Sequence, residues 1–171
     1  MTDTQLFEDR GNHCIRKIST DGIVTTISGQ PGVRGFKYGR DSLWFQPYGL
    51  IVGQDRELFV TDRYNHAVRR ISLDDFTVVT IAGGKQQGGH KDGQGGEAEF
   101  NYPLGITQLS NKDLIVSDAD NHVLRQITLD GLVTTIAGIS FFLFFVWICC
   151  WGLKRLINFC QKRHSWQERI S

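Results

Sequence analysis

Three Asn-His pairs recur along the chain and carry its most suggestive side chains. They are Asn12-His13, Asn65-His66 and Asn121-His122, spaced 53 and 56 residues apart. Imidazole is a common metal ligand, so three equivalent histidines suggest a shared ion. A tandem repeat, however, places equivalent residues on successive units around a ring, too far apart for ligand distances of about 2 Å. We therefore expect the histidines to brace turns, and we predict no metal and no other cofactor.

An aspartate and an arginine accompany every Asn-His pair at fixed spacing. The aspartate lies three residues before the asparagine and the arginine three residues after the histidine, which gives Asp9 and Arg16, Asp62 and Arg69, and Asp118 and Arg125. An aspartate at a strand end can accept hydrogen bonds from backbone N–H groups of the following turn, and pairing with arginine is charge-assisted. We interpret these residues as an internal brace in each copy, and we predict no catalytic residue among them.

The residues around these motifs resemble short strands separated by turns. A complete copy contains about four short apolar or β-branched runs, divided by Gly, Asp and Asn, and this pattern favours strands over helices. Each copy closes on a Thr-Ile-small-Gly run, at residues 26–29, 80–83 and 135–138. Two copies also have a proline-containing lead-in, at residues 45–51 and 100–106. Four strands in about 50 residues is the size of one propeller blade.

Together these motifs resemble the NHL repeat family, whose signature is Asn-His-Leu. The Asn-His pair is intact in all three copies, while Cys14, Ala67 and Val123 stand where leucine is common. The lead-in, the arginine after the signature and the closing Thr-Ile-Ala-Gly run also resemble the family. The resemblance covers about two and a half repeats over residues 5–138, and it implies a β-propeller, commonly one of six blades.

The predicted fold is therefore all-β, a partial and open β-propeller. We expect a partial blade over residues 5–29 and two blades over 45–83 and 100–138. A closed ring protects its strand edges, and edges left open are normally covered. The chain is therefore predicted to be a truncated or splice-derived fragment of a larger propeller, with self-association through the open edges, or instability, as the alternatives.

The two loops between the copies are rich in glycine and are the least repetitive part of the repeat region. The first loop holds aromatic and basic residues of the kind found at interaction hot spots. We predict a partner-binding loop formed by Arg34, Phe36, Lys37, Tyr38, Arg40 and Trp44. The alternative is that Phe36 and Trp44 pack against their own blade.

Charge and motif content favour a binding scaffold over other functions. Residues 154–171 carry about +4 and the rest of the chain about −3, whereas nucleic-acid binding normally needs a clustered basic face. We find no nucleophile–base pair and no metal-ligand spacing outside the repeat. We predict a non-catalytic scaffold that binds a protein partner through the loops on one propeller face. A metal-dependent lyase or hydrolase-like propeller and an RNA-binding NHL domain are the alternatives.

The character of the sequence changes after Gly138. Residues 139–153 contain no charged side chain, and as a helix they would rise about 22 Å against about 30 Å of hydrocarbon. We predict a hydrophobic, helical segment over residues 139–160 that could serve as a membrane anchor, followed by a basic tail over residues 161–171. The repeats would then face the cytosol, and without an anchor the chain would be cytoplasmic. A splice-derived tail and a strand covering the open propeller edge are the alternatives.

Overall fold

The computed structural model describes residues 5–85 and 87–138, which form three antiparallel β-sheets. The predicted segment 139–160 and tail 161–171 lie outside the described residues. Within the described part, no helix has the length and apolar character needed to cross a bilayer. The twelve strands of these residues are β1 (Gln5–Asp9), β2 (Cys14–Ile18), β3 (Val24–Ser28), β4 (Pro47–Val52), β5 (Glu57–Asp62), β6 (Ala67–Ser72), β7 (Val78–Gly83), β8 (Gly93–Gln94), β9 (Pro103–Gln108), β10 (Leu114–Asp118), β11 (Val123–Ile127) and β12 (Leu132–Gly138).

Each sheet is one blade, and its main strands follow chain order. The first blade contains β1, β2 and β3, the second contains β4 to β7, and the third contains β9 to β12. Consecutive strands pair as antiparallel hairpins, because the turns between them are short. The fold of the described residues is therefore all-β and has the blade arrangement of a propeller, as the repeat predicts.

The loops between blades contribute to the sheets, which sequence reasoning did not foresee. The short strand β8 pairs with the outer strand β12 of the third blade. In the first loop, Gly39 pairs in the same way with Val78 of β7. Each loop therefore lies along the outer edge of the blade that follows it before entering that blade's innermost strand.

The Asp-x-x-Asn-His segment forms a single 3-10 turn in each blade, between β1 and β2, between β5 and β6, and between β10 and β11. The turns cover Arg10–Asn12, Arg63–Asn65 and Ala119–Asn121. The histidine after each turn has a left-handed backbone, with φ between 51° and 57°, and histidine is one of the few non-glycine residues enriched there. In the register of β5 and β6, Asp62 lies opposite Ala67. Arg69 is two residues further along β6, so its side chain lies on the same face of the sheet as that of Asp62.

The core lies between the blades. Leu58 and Val60 pack with Ile15 and Trp44 between the first and second blades, whereas Phe59 packs between the second and third. Alternate residues of a strand point to opposite faces, so β5 supplies both cores at once. This sandwiched position explains why almost every residue of β5 is buried.

Candidate functional site

The repeated pattern of polar residues forms a buried brace in the second blade. Asp62 accepts hydrogen bonds from the backbone N–H of Phe45 (2.8 Å), from Asn65 Nδ2 (2.8 Å) and from Arg69 Nη1 (2.9 Å). Arg69 also donates to the carbonyl oxygens of Leu43 (2.7 Å) and Lys37. The side chains of Asp62 and Arg69 are both fully buried. The brace therefore fixes the preceding loop onto the blade that the loop enters.

The third blade repeats this brace with equivalent residues. Asp118 accepts from the backbone N–H of Asn101 (2.6 Å), and also from Asn121 and Arg125 (each 2.8 Å). Arg125 donates to the carbonyl oxygens of Glu99 (3.0 Å) and Lys91 (2.8 Å). In both blades the aspartate and the arginine therefore bind equivalent backbone N–H and carbonyl groups of the loop that precedes the blade. The repeated polar residues act as structural elements.

Burial controls the ionisation of these braces. It raises the pKa of Asp62 to about 6, although Arg69 and the hydrogen bonds act in the opposite direction, and it lowers the pKa of Arg69. The Arg69 guanidinium lies over the ring of Trp44 at 4.3 Å, and such a contact stabilises a desolvated cation. In the partly exposed first blade, the hydrogen bond from Asn12 has the largest influence and lowers the pKa of Asp9.

The repeated histidines connect one blade to the next. Nδ1 of His13 accepts a hydrogen bond from the backbone N–H of Gln46, and Nδ1 of His66 accepts one from Tyr102, both at 3.2 Å. Thr61 adds a second link between the second and third blades, because its hydroxyl donates to the carbonyl of Leu104 at 2.7 Å. His13 and His66 therefore hold the lead-in of the following blade.

The predicted partner-binding loop is divided between core and surface. Trp44 is fully buried and its indole donates to Ser28 Oγ at 2.9 Å. Phe36 lies over Arg69 at 5.1 Å but remains 45% exposed, and Tyr38 is 73% exposed. The cations of the loop differ in their partners: Lys37 pairs with Asp41 and Arg40 with Asp75, whereas Arg34 lies over the ring of Phe45.

An aromatic ladder that sequence reasoning missed runs across the blade junctions at the end of the propeller that carries the Asp-x-x-Asn-His turns. We use this name for Phe45, Tyr64 and Tyr102. Phe45 stacks on Tyr64 with 4.7 Å between ring centroids, and Tyr64 meets Tyr102 edge-to-face at 5.0 Å. The rings come from two lead-ins and one turn, so their proximity depends on how the blades stack.

Three arginines lie over these rings and their neighbour Tyr48. Arg34 is 5.1 Å from the Phe45 centroid, Arg63 is 5.0 Å from that of Tyr64, and Arg10 is 4.6 Å from that of Tyr48. None of the three forms an ion pair with a carboxylate of the described residues. We call them the ladder arginines. Each of their guanidinium groups lies over an aromatic ring, and Arg10 also interacts electrostatically with Glu8.

The described residues contain no group of three or more His, Cys, Asp or Glu side chains arranged to hold a metal ion. Cys14 is a free, buried thiol in this part of the chain, and burial raises its pKa.

Comparison with known proteins identifies the repeat. No family model matches the chain. NHL repeat-containing protein 2 of Gallus gallus is 36% identical over 112 residues, which are 62% of this chain and 15% of that protein. The human protein of the same name is 31% identical over 122 residues, or 65% of this chain and 17% of that protein. The chain therefore carries repeats similar to those of the NHL repeat-containing proteins. It spans less than a fifth of the length of these relatives.

Solved structures show the same fold at low sequence identity. An auxiliary nutrient binding protein from Bacteroides ovatus matches with a TM-score of 0.65 and 23% identity, over 79% of this chain and 35% of that one. A streptogramin B lyase matches with a TM-score of 0.55 and 19% identity, over 79% and 37%. A chain in a nidogen/laminin complex matches with a TM-score of 0.56 and 15% identity, over 80% and 45%. These NHL repeats therefore share a propeller fold with proteins of several functions.

The brace gives a direct prediction for stability. Arg69→Ala should lower the free energy of unfolding by about 3–5 kcal/mol, because it leaves the buried Asp62 carboxylate without its counter-charge. The neighbouring Arg70→Ala removes an exposed pair with Glu57 and should cost no more than about 1 kcal/mol. Urea denaturation followed by circular dichroism measures both values. Equal losses would contradict the assigned role of Arg69.

The histidine link predicts a pH dependence. Burial lowers the pKa of His66, so the unfolded state binds more protons just below the usual pKa of 6.5, and stability from this residue is lost as pH falls through that range. The stability advantage of the wild type over His66→Gln should therefore shrink on acidification. Asp62 acts in the opposite direction but is present in both proteins, so the comparison cancels it. Parallel stability curves between pH 7 and 5 would refute this role for His66.

Proposed function

We propose that this chain is a non-catalytic NHL-repeat scaffold that binds acidic segments of partner proteins through the ladder. The observation that carries the proposal is that the ladder arginines lie over aromatic rings and form no ion pair among the described residues. A guanidinium that lies flat on a ring keeps N–H groups at its edge for a carboxylate. A partner segment with acidic and aromatic residues would supply both the carboxylates and additional ring contacts.

The surrounding charges support this choice of surface. Other cations of the two inter-blade loops already have acidic partners, as in the pairs Lys37–Asp41, Arg40–Asp75, Lys85–Glu99 and Lys91–Glu97. The ladder arginines are the exception among the described loops and turns at this end of the propeller. An external anion would therefore meet unneutralised positive charge at the ladder.

A protein segment fits this surface better than a nucleic acid. Three arginines are few against the 6–10 phosphate contacts of a typical DNA-binding protein, and the chain before residue 154 carries about −3. A propeller related in fold has been solved in a nidogen/laminin complex, which supports protein binding as a use of this architecture. The use of Asp62, Asn65 and Arg69 in backbone hydrogen bonds supports a non-catalytic role for the repeated motif.

Fluorescence polarisation with a labelled peptide of alternating glutamate and tyrosine tests the proposal. The full chain should bind this peptide, and the double variant Arg34→Ala/Arg63→Ala should bind at least about tenfold more weakly, since a hydrogen bond to a charged group contributes about 1.5–3 kcal/mol. The double variant Arg56→Ala/Lys112→Ala removes the same charge from cations paired elsewhere and should bind like the wild type.

Two results would overturn this function. One is equal weakening by both double variants, which would indicate general electrostatic attraction. The other is tighter binding of a labelled oligouridine, lost in Arg34→Ala/Arg63→Ala, which would assign the ladder to single-stranded nucleic acid. A lysine–tyrosine peptide controls for attraction to the rings alone.

We further propose that residues 139–160 attach the chain to a membrane, with the repeats on the cytosolic side. The support is the uncharged run at 139–153 followed by Lys154 and Arg155. The full chain should resist carbonate extraction, and Phe144→Asp/Val146→Asp should be released because charge inside the bilayer is costly. Gln161→Asp/Gln167→Asp adds the same charge outside the run and should remain bound. Complete extraction of the wild type would contradict the anchor.

A further inference from the structure

The loops that precede the second and third blades differ at one position beside the brace. In each blade the arginine of the brace donates through Nη2 to a loop carbonyl, that of Lys37 or Lys91. The next residue is Tyr38 in the second blade and Asp92 in the third. In both loops the glycine that follows then pairs with the outer strand of the blade, β7 or β12. Tyr38 and Asp92 therefore hold equivalent positions.

In the third blade the Asp92 carboxylate is bound through both of its oxygen atoms. Its Oδ1 accepts from Arg125 Nη2 and from the hydroxyl of Thr135, both at 2.8 Å, and its Oδ2 accepts from the backbone N–H of Thr135 at 3.0 Å. One guanidinium, one hydroxyl and one backbone N–H thus surround a single carboxylate. Such a set of donors is complementary to the planar, two-oxygen geometry of that group.

The second blade keeps the donor residues but has no carboxylate at this position. Arg69 and Thr80 lie opposite each other in the register of β6 and β7, as Arg125 and Thr135 do in β11 and β12. The Thr80 hydroxyl is buried and has no hydrogen-bond partner among the described residues. Because buried polar atoms normally have a partner, the second blade lacks the acceptor that Asp92 supplies in the third.

The groups concerned lie beneath two surface aromatic residues. Phe36 corresponds to His90 of the third blade, whose ring nitrogen lies 3.5 Å from the Thr135 hydroxyl, and the Phe36 ring lies over the guanidinium of Arg69. Phe36 is 45% exposed and Tyr38 is 73% exposed. A ligand can therefore reach these groups from solvent by displacing surface side chains.

We propose that Arg69 and Thr80 form a binding site for one external carboxylate, carried by an acidic side chain of a partner protein or by a small free acid. One carboxylate oxygen accepts from the Arg69 guanidinium and the Thr80 hydroxyl, and the other accepts from the Thr80 backbone N–H. Phe36 and Tyr38 form the rim of the site, and aromatic residues are enriched at interaction hot spots. None of these residues belongs to the ladder or its arginines, so the site does not rest on the function proposed above.

The two threonine hydroxyls give a first test that needs no ligand. Thr80→Val removes a hydroxyl without a partner, so the free energy of unfolding should not fall. Thr135→Val removes a hydroxyl that is bonded to Asp92 and should lower it. Urea denaturation of the full chain measures both variants. An equal loss in the two would overturn the proposal, because Thr80 would then already have a partner.

Sodium formate is the probe for the site itself. The thermal midpoint of the full chain should be higher in formate than in sodium chloride of equal ionic strength, because a ligand of the folded state stabilises it. Tyr38→Asp places a carboxylate at the position that Asp92 holds in the third blade, so this variant should lose the dependence on formate. Tyr38→Ala removes the same ring without adding a carboxylate and should retain the dependence.

The threonine variants then locate the formate. Thr80→Val should weaken formate binding at least about tenfold, as expected for the loss of a hydrogen bond to a charged group. Thr135→Val should bind formate like the wild type, because Asp92 already occupies the equivalent position. The proposal is overturned if formate and chloride act alike on the wild type, or if Tyr38→Asp and Tyr38→Ala respond equally to formate.

A labelled peptide of alternating aspartate and glycine distinguishes the two sources of the carboxylate. If the ligand is an acidic side chain, fluorescence polarisation should show binding that formate reverses and that Tyr38→Asp abolishes. The double variant Arg34→Ala/Arg63→Ala should still bind, since it lacks only ladder arginines. Formate binding without peptide binding would support the carboxylate site and assign it to a small free acid.

Discussion

The structure depends on one buried interaction, the pairing of an aspartate at the end of one strand with an arginine on the next. Burying an ion pair has a desolvation cost that the attraction alone offsets poorly. In the second and third blades the pair also satisfies backbone groups of the preceding loop. The brace therefore fixes an irregular loop onto a regular sheet. The asparagine of the motif adds a hydrogen bond to the same loop, and the histidine adds one to the next blade.

This use of the repeated residues determines where binding chemistry can lie. In the second and third blades the aspartate, the asparagine and the arginine are all used in hydrogen bonds to the backbone of the preceding loop. The positions between them are free to vary, and Arg63 and Tyr64 in the second turn correspond to Ala119 and Asp120 in the third. The ladder and its arginines are built from these variable positions and from the lead-ins that the braces hold in place.

Much of the fold could be predicted because its determinants are local. The Asp-x-x-Asn-His turn, the alternation of apolar residues and the paired Asp and Arg all act within a hairpin, and each copy repeats them. The functional loop was harder to predict. Arg34 and Trp44 belong to the same loop, yet Trp44 is buried against Arg69 and Ser28, while Arg34 lies at the surface. The amino-acid composition of such a loop does not show which of its side chains are buried in the core.

By itself, the sequence determined the repeat, the all-β character, and the identity of the residues that brace each blade, because these follow from spacing within one copy. Only the tertiary structure showed which residues of one blade contact residues of the next. The links from His13 to Gln46 and from His66 to Tyr102 join residues 33 and 36 positions apart, and the ladder draws on three separate segments. The burial of the brace is likewise not given by the motif, because the side chains of Asp62 and Arg69 are fully buried, whereas those of Asp9 and Arg16 are 24% and 23% exposed.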